Sequence, residues 1–83
     1  MKLKIKLYAS LKPYLPVGTP KNEADIEIPE GSTVQSVLDD FNMPEGLYKL
    51  VLVNGVFIVP EARARRIFVE NDVFAVWPPV AGG

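Results

Sequence analysis

Residues 2–8 read Lys-Leu-Lys-Ile-Lys-Leu-Tyr, a strict alternation of polar and apolar positions. A period of two sets Leu3, Ile5 and Leu7 on one face and three lysines on the other, as in a half-buried strand. The lysine row also opposes edge-to-edge pairing with other chains. Residues 9–12 suit a short helical turn that Pro13 interrupts, and Pro13, Pro16, Gly18 and Pro20 mark a loop over residues 13–24. Alternation returns in Asp25-Ile26-Glu27-Ile28, a second strand closed by Pro29, which pairs most simply antiparallel to the first. The period then lengthens. Val34, Val37, Leu38 and Phe41 fall at i, i+3, i+4 and i+7, one apolar stripe of a helix. Ser32 is the expected N-cap with Gln35 completing a capping box, Asn42 the C-terminal residue, and Pro44 the stop.

The second half of the chain reads as strands. Leu50-Val51-Leu52-Val53 is a near-continuous apolar run, as expected of a central strand. Asn54-Gly55 is a hairpin signal, because both positions of such a turn need positive φ. Val56–Val59 forms the return strand up to Pro60. After an arginine-containing loop and a turn at Asn71-Asp72, Val73–Trp77 forms the last strand, ended by Pro78. The order is β, β, α, β, β, β. A crossover helix must cover one face of the sheet, and the last strand then pairs in parallel with the first at the sheet centre. The expected fold class is α+β, a β-grasp (ubiquitin-like) arrangement: a mixed sheet of about five strands with one crossover helix. The expected organisation is one domain over residues 1–77 and a flexible C-terminal tail over residues 78–83.

Composition narrows the chemistry. Nine basic and ten acidic side chains give a net charge of −1, without the basic surplus that phosphate neutralisation on nucleic acid requires. The absence of cysteine and histidine excludes disulfides and thiolate metal sites and removes the usual general base, so a self-contained hydrolase is not expected. Asp39 and Asp40 are adjacent on a helix and diverge, with no companion ligands, so no metal site is expected. Lys2, Lys4 and Lys6 alternate with apolar residues instead of preceding an apolar run, so no signal peptide is expected; nor does any stretch approach the ~20 apolar residues of a membrane span. The expected location is the cytoplasm.

One feature carries chemistry. The chain ends Trp77-Pro78-Pro79-Val80-Ala81-Gly82-Gly83, a stiffened stem and two residues without Cβ directly after a strand. Activation of a C-terminal carboxylate requires in-line attack on the α-phosphate of ATP and shielding of the acyl-adenylate from water, both in a narrow cleft. Gly82 and Gly83 pass where a side chain would clash. Pro78 and Pro79 fix φ and lower the entropy lost on insertion. From Pro78 to Gly83 the chain reaches roughly 20 Å.

The tail, the apolar strand before it, Val53-Asn54-Gly55 and the helix opening Pro29-Glu30-Gly31-Ser32-Thr33-Val34 resemble the MoaD/ThiS family of ubiquitin-like sulfur carriers over the whole chain. Pro-Pro-Val-Ala-Gly-Gly resembles most the MoaD branch, the small subunits of molybdopterin synthase. Two departures are Glu70-Asn71-Asp72 in place of a Gly-Asp turn, and a basic, apolar segment at residues 60–69. The resemblance implies that an E1-like adenylating enzyme uses ATP and Mg²⁺ to adenylate Gly83. A persulfide sulfur donor then leaves a thiocarboxylate there. Pro78, Pro79, Val80, Ala81 and Gly82 would thread the tail into the large subunit of molybdopterin synthase, in a heterotetramer, where sulfur passes to the pterin precursor. Catalytic side chains belong to the partners, and this chain binds no cofactor itself. Alternatives are a carrier for thiamin, tRNA thiolation or cysteine synthesis, a ubiquitin-like protein modifier, and a plain binding module. The family's register turns Phe74 and Val76 inward and leaves Ala75 and Trp77 on the open face, Trp77 as an exposed anchor for a partner. Arg63, Arg65 and Arg66 read more simply as a solvated basic loop than as an anion or partner site.

Overall fold

The structure, a computed structural model, describes residues 1–79. Five strands form one sheet: β1 (Lys2–Leu7), β2 (Glu23–Glu27), β3 (Leu50–Val53), β4 (Val56–Phe57) and β5 (Val73–Trp77). One α-helix, α1 (Val34–Asp40), and short 3-10 turns at Ala9–Tyr14, Glu45–Leu47 and Pro60–Ala62 complete the body. The strand order is β2-β1-β5-β3-β4. β1 and β5 are parallel, in register Ile5 to Phe74 and Leu7 to Val76, and the other neighbours are antiparallel. This is the expected mixed β-grasp sheet with its first and last strands adjacent at the centre.

The alternation in β1 does what its period requires. Leu3, Ile5 and Leu7 are fully buried, as are Phe74 and Val76 beside them and Val51 on β3. Val34, Val37 and Leu38 of α1 complete the apolar layer, with Phe68 meeting Phe74 edge-on at 5.1 Å. Full burial of each such side chain contributes about 1.5–3 kcal/mol. On the opposite face Lys4 pairs with Asp25 at 3.2 Å and Lys6 with Glu23 at 3.7 Å across the β1–β2 register. Ion pairs this exposed add about 0–1 kcal/mol each and mainly fix the register.

Several element boundaries differ from expectation. The N-cap of α1 is Thr33, not Ser32. The Thr33 side chain accepts from the Ser36 N–H, and the Ser36 hydroxyl accepts from the Thr33 N–H, so the capping box uses Ser36 instead of Gln35. Ser32 is engaged one turn earlier, donating its hydroxyl to the Pro29 carbonyl at 2.6 Å. Gln35 reaches forward to Asp39 at 3.0 Å. The helix is capped at Phe41, and Asn42 takes the left-handed conformation (φ 59°) just beyond it. β2 begins two residues earlier than Asp25, where Glu23 opposes Lys6. Ile28 instead leaves the strand for the core, tied at both backbone groups to Met1. β4 stops at Phe57. Ile58 still donates to Val51 but turns inward, and Pro60, with no N–H to offer a ladder, opens the next turn.

The loop after β4 closes the helix end. The first N–H groups of α1 lack partners within the helix. Val34 N–H donates to the Arg66 carbonyl and Gln35 N–H to that of Arg63, each at 2.9 Å, while Phe68 N–H returns to Ser32. Asp72, nearly fully buried, anchors the other end of this segment. Its carboxylate accepts from Asn54 Nδ2 and from the Val69 N–H, both at 2.8 Å, and faces Arg66 at 3.6 Å. Asn54 also accepts from the Val73 N–H at 2.9 Å, so its turn (φ 51°, followed by Gly55 at 83°) is latched to the start of β5.

Two substitutions separate these contributions in urea denaturation. Phe74→Ala should lower stability by about 3–5 kcal/mol through the cavity it leaves. Asp72→Ala should lower it by about 2 kcal/mol, because the Val69 N–H and the Asn54 amide lose a charged acceptor. Val17→Ala, at a fully exposed position, is the control and should leave the midpoint unchanged.

Candidate functional site

The site is the end of β5 and the stem that leaves it. β5 lies between β1 and β3, so Trp77 emerges at the middle of the sheet and not at an edge. Its carbonyl accepts from the Lys49 N–H at 2.8 Å, and it opposes Leu50 in register. One residue before it, the Val76 carbonyl accepts from the Tyr8 N–H at 3.1 Å. The stem base is therefore hydrogen-bonded on both sides. Pro78 is half-buried and Pro79 exposed. Val80, Ala81, Gly82 and Gly83, on which the expected reactive carboxylate and most of the expected threading segment fall, lie outside the described residues.

Phe74 and Val76 point into the core, and Val73, Ala75 and Trp77 share the other face, as the register implied. The expected exposure of the anchor needs correction. Trp77 is half-buried, and its ring stacks on Tyr8 with centroids 4.1 Å apart and planes within 2°. Ala75 is buried, flanked by Lys6 and Leu52 in register. Apolar exposure on this face comes instead from Leu50 and Phe57, which stand 40% and 46% exposed beside Trp77 and Leu52. Tyr8 was absent from the sequence-derived site. Its signal was present, since it continues the even-numbered face of β1 that a parallel β5 must lie beside.

The three arginines divide. Arg65 is solvated as expected. Arg66 is half-buried and faces Asp72. Arg63 is buried, contrary to its reading as a solvated loop residue. Its Nε donates to the Ile58 carbonyl at 3.3 Å, and its guanidinium carbon lies 5.5 Å from the Tyr48 ring centre. No group of three or more histidine, cysteine, aspartate or glutamate side chains that could hold a metal ion occurs among the described residues. Nor is any helix there long and apolar enough to cross a membrane. The described part of the site holds no catalytic constellation. It is a rigid platform from which a terminal segment leaves.

A sheet in this order, with its helix on one face and its C-terminus leaving the central strand, defines a β-grasp, ubiquitin-like protein. The sequence profile of the ThiS family matches residues 5–83, and the chain belongs to that family of ubiquitin-like proteins. No relative is found among curated proteins. Solved structures share the fold. Small archaeal modifier protein 1 (SAMP1) from Haloferax volcanii superposes with a TM-score of 0.68 at 20% identity over 100% of both chains. A chain from the complex of subunits 1 and 2 of the molybdopterin-converting factor from Helicobacter pylori gives 0.62 at 15% identity over 100% of both. The Haloferax volcanii protein HVO 2177 gives 0.70 at 25% identity, covering 100% of this chain and 87% of that one.

The stack predicts a spectroscopic response. Tyr8→Ala should shift the emission of Trp77, the only tryptophan, to longer wavelength and raise its quenching by iodide, at a stability cost of about 1 kcal/mol. Unchanged emission and quenching would show that Tyr8 does not shield the ring.

Proposed function

We infer that the chain is a sulfur carrier whose Gly83 carboxylate is activated and thiolated, and that it serves molybdopterin synthesis as the small subunit of the synthase. The observation that carries this reading is the Pro-Pro-Val-Ala-Gly-Gly terminus set directly on the central strand of a ThiS-family body. The likeness to a structure of molybdopterin-converting factor subunits 1 and 2 supports the choice of pathway.

The chemistry follows from the carboxylate. One oxygen of Gly83 attacks the α-phosphorus of ATP in the cleft of an E1-like enzyme, with Mg²⁺ on the phosphates, and pyrophosphate leaves. A persulfide sulfur attacks the acyl carbon and AMP leaves. A thiol of the donor system then cleaves the S–S bond of the acyl disulfide, releasing the thiocarboxylate. The tail next enters the large subunit, where the sulfur is transferred to the pterin precursor. This chain's own part is mechanical. The β5 ladder holds the stem base, Pro78 and Pro79 restrict it, and Gly82 and Gly83 remove the side chains that a narrow cleft would reject. The open sheet face around Trp77 and Leu50, with Ala75 beneath, is the docking surface in this reading, its apolar area matching the need to hold a partner while the tail reacts.

The likeness to SAMP1 favours a second reading, a ubiquitin-like modifier in which a lysine amine instead of a persulfide takes the Gly83 acyl group. Intact mass after incubation with an E1-like enzyme, ATP and a persulfide donor separates the two. The carrier gains the difference between one sulfur and one oxygen, whereas the modifier becomes linked to lysines of other proteins. Deleting Gly83 should abolish both products and leave the urea midpoint unchanged; sulfur acquired by the shortened chain would refute the tail mechanism. The thiocarboxylate form mixed with the synthase large subunit should convert the pterin precursor, and failure there would exclude this pathway.

A further inference from the structure

Two charged side chains are buried among the described residues, Asp72 and Arg63. Asp72 is fully accounted for by Asn54, the Val69 N–H and Arg66. Arg63 is not. It is only 6% exposed, yet none of the ion pairs among the described residues includes it. Only its Nε has a described hydrogen-bond acceptor, the Ile58 carbonyl; no buried side-chain nitrogen among the described residues lacks a partner, so Nη1 and Nη2 reach the surface and stay available. The Tyr48 ring supplies a cation–π contact but no negative charge. Its stem is packed while its terminal nitrogens face outward, as long basic side chains commonly arrange themselves.

The guanidinium lines an open cleft of about 330 Å³ with Glu45, Tyr48, Lys49, Phe57 and Pro60. Arg63 and Lys49 set two positive charges there against the single carboxylate of Glu45. A planar guanidinium matches one carboxylate through two parallel N–H···O bonds. Phe57 and Pro60 offer apolar surface to the methylene stem of such a group. The cleft also adjoins the stem base: Lys49, which lines it, donates its N–H to the Trp77 carbonyl.

We propose that this cleft receives one acidic side chain, aspartate or glutamate, of the E1-like enzyme that takes up the C-terminal tail, with Arg63 as the bidentate partner and Lys49 as a second cation. The assignment of the partner rests on the carrier reading above; the carboxylate site itself does not.

N-acetylglutamate titrated into the ¹⁵N-labelled chain, at constant ionic strength, should give saturable shifts at the Arg63 Nε–H and the Phe57 amide. Arg63→Gln should weaken this binding about tenfold, the loss expected for a charge-assisted pair. The Lys2–Leu7 amides report whether that variant remains folded. Lys49→Gln, at an exposed position, should weaken binding without touching the core, and Glu45→Gln should strengthen it. A chain ending at Pro79 should bind as the full chain does. Binding seen only in the shortened chain would assign the cleft to this protein's own Gly83 carboxylate and overturn the partner proposal. No saturable shift in any form would overturn the site. With an E1-like enzyme, Lys49→Gln should raise the KM for the carrier and spare kcat. An unchanged KM alongside normal thiolation of Gly83 would overturn the docking role while leaving the carrier reading intact.

Discussion

The parallel pairing of β1 with β5 is the contact on which the rest of this structure depends. It joins the first strand of the chain to the last. It sets Ile5 beside Phe74 and Leu7 beside Val76, which closes the apolar layer beneath α1. Parallel neighbours cannot be joined by a tight turn, so the helix and the β3–β4 hairpin must lie between them in the chain. The same pairing puts the exit of the C-terminal segment at the sheet centre, with a hydrogen bond to Tyr8 on one side and one to Lys49 on the other. The base of the stem is thereby held at a fixed point of the sheet, its ordering cost met by the body itself.

A second constraint is the satisfaction of backbone groups. α1 has seven residues and cannot supply acceptors for its own first turn. The segment after β4 supplies them through the Arg63 and Arg66 carbonyls, and Asp72 pins that segment to Asn54 and Val69. What reads in the chain as a basic loop is thus the lid of the helix N-terminus. Its side chains acquire distinct surroundings as a result: Arg65 in water, Arg66 toward Asp72, and Arg63 folded beneath the surface over Tyr48.

The open face of the sheet is divided along its width. On the β2–β1 side it carries cross-strand ion pairs. On the β5–β3–β4 side it carries Tyr8, Trp77, Leu50, Leu52 and Phe57. The charged half blunts the outer strand against unwanted pairing, and the apolar half lies beside the stem. Pairing Trp77 with Tyr8 reduces the apolar area shown to water and leaves a flat aromatic surface beside the stem.

Local pattern determined most of the frame. Periods of two and of 3.6 residues, Asn54-Gly55 and the prolines were enough to order the elements and to choose the inward face of β5. These features were legible because each arises from residues a few positions apart. The tertiary structure decided what depends on distant partners. Whether Ser32 or Thr33 caps α1 turns on which hydroxyl the Pro29 turn occupies. The length of β4 turns on where Ile58 can enter the core, and the exposure of Trp77 on Tyr8, sixty-nine residues away in the chain. The burial of Arg63 required the whole lid to close over Tyr48. Composition shows how many charges a chain carries, but only packing decides which of them pair with a neighbour and which line a cleft.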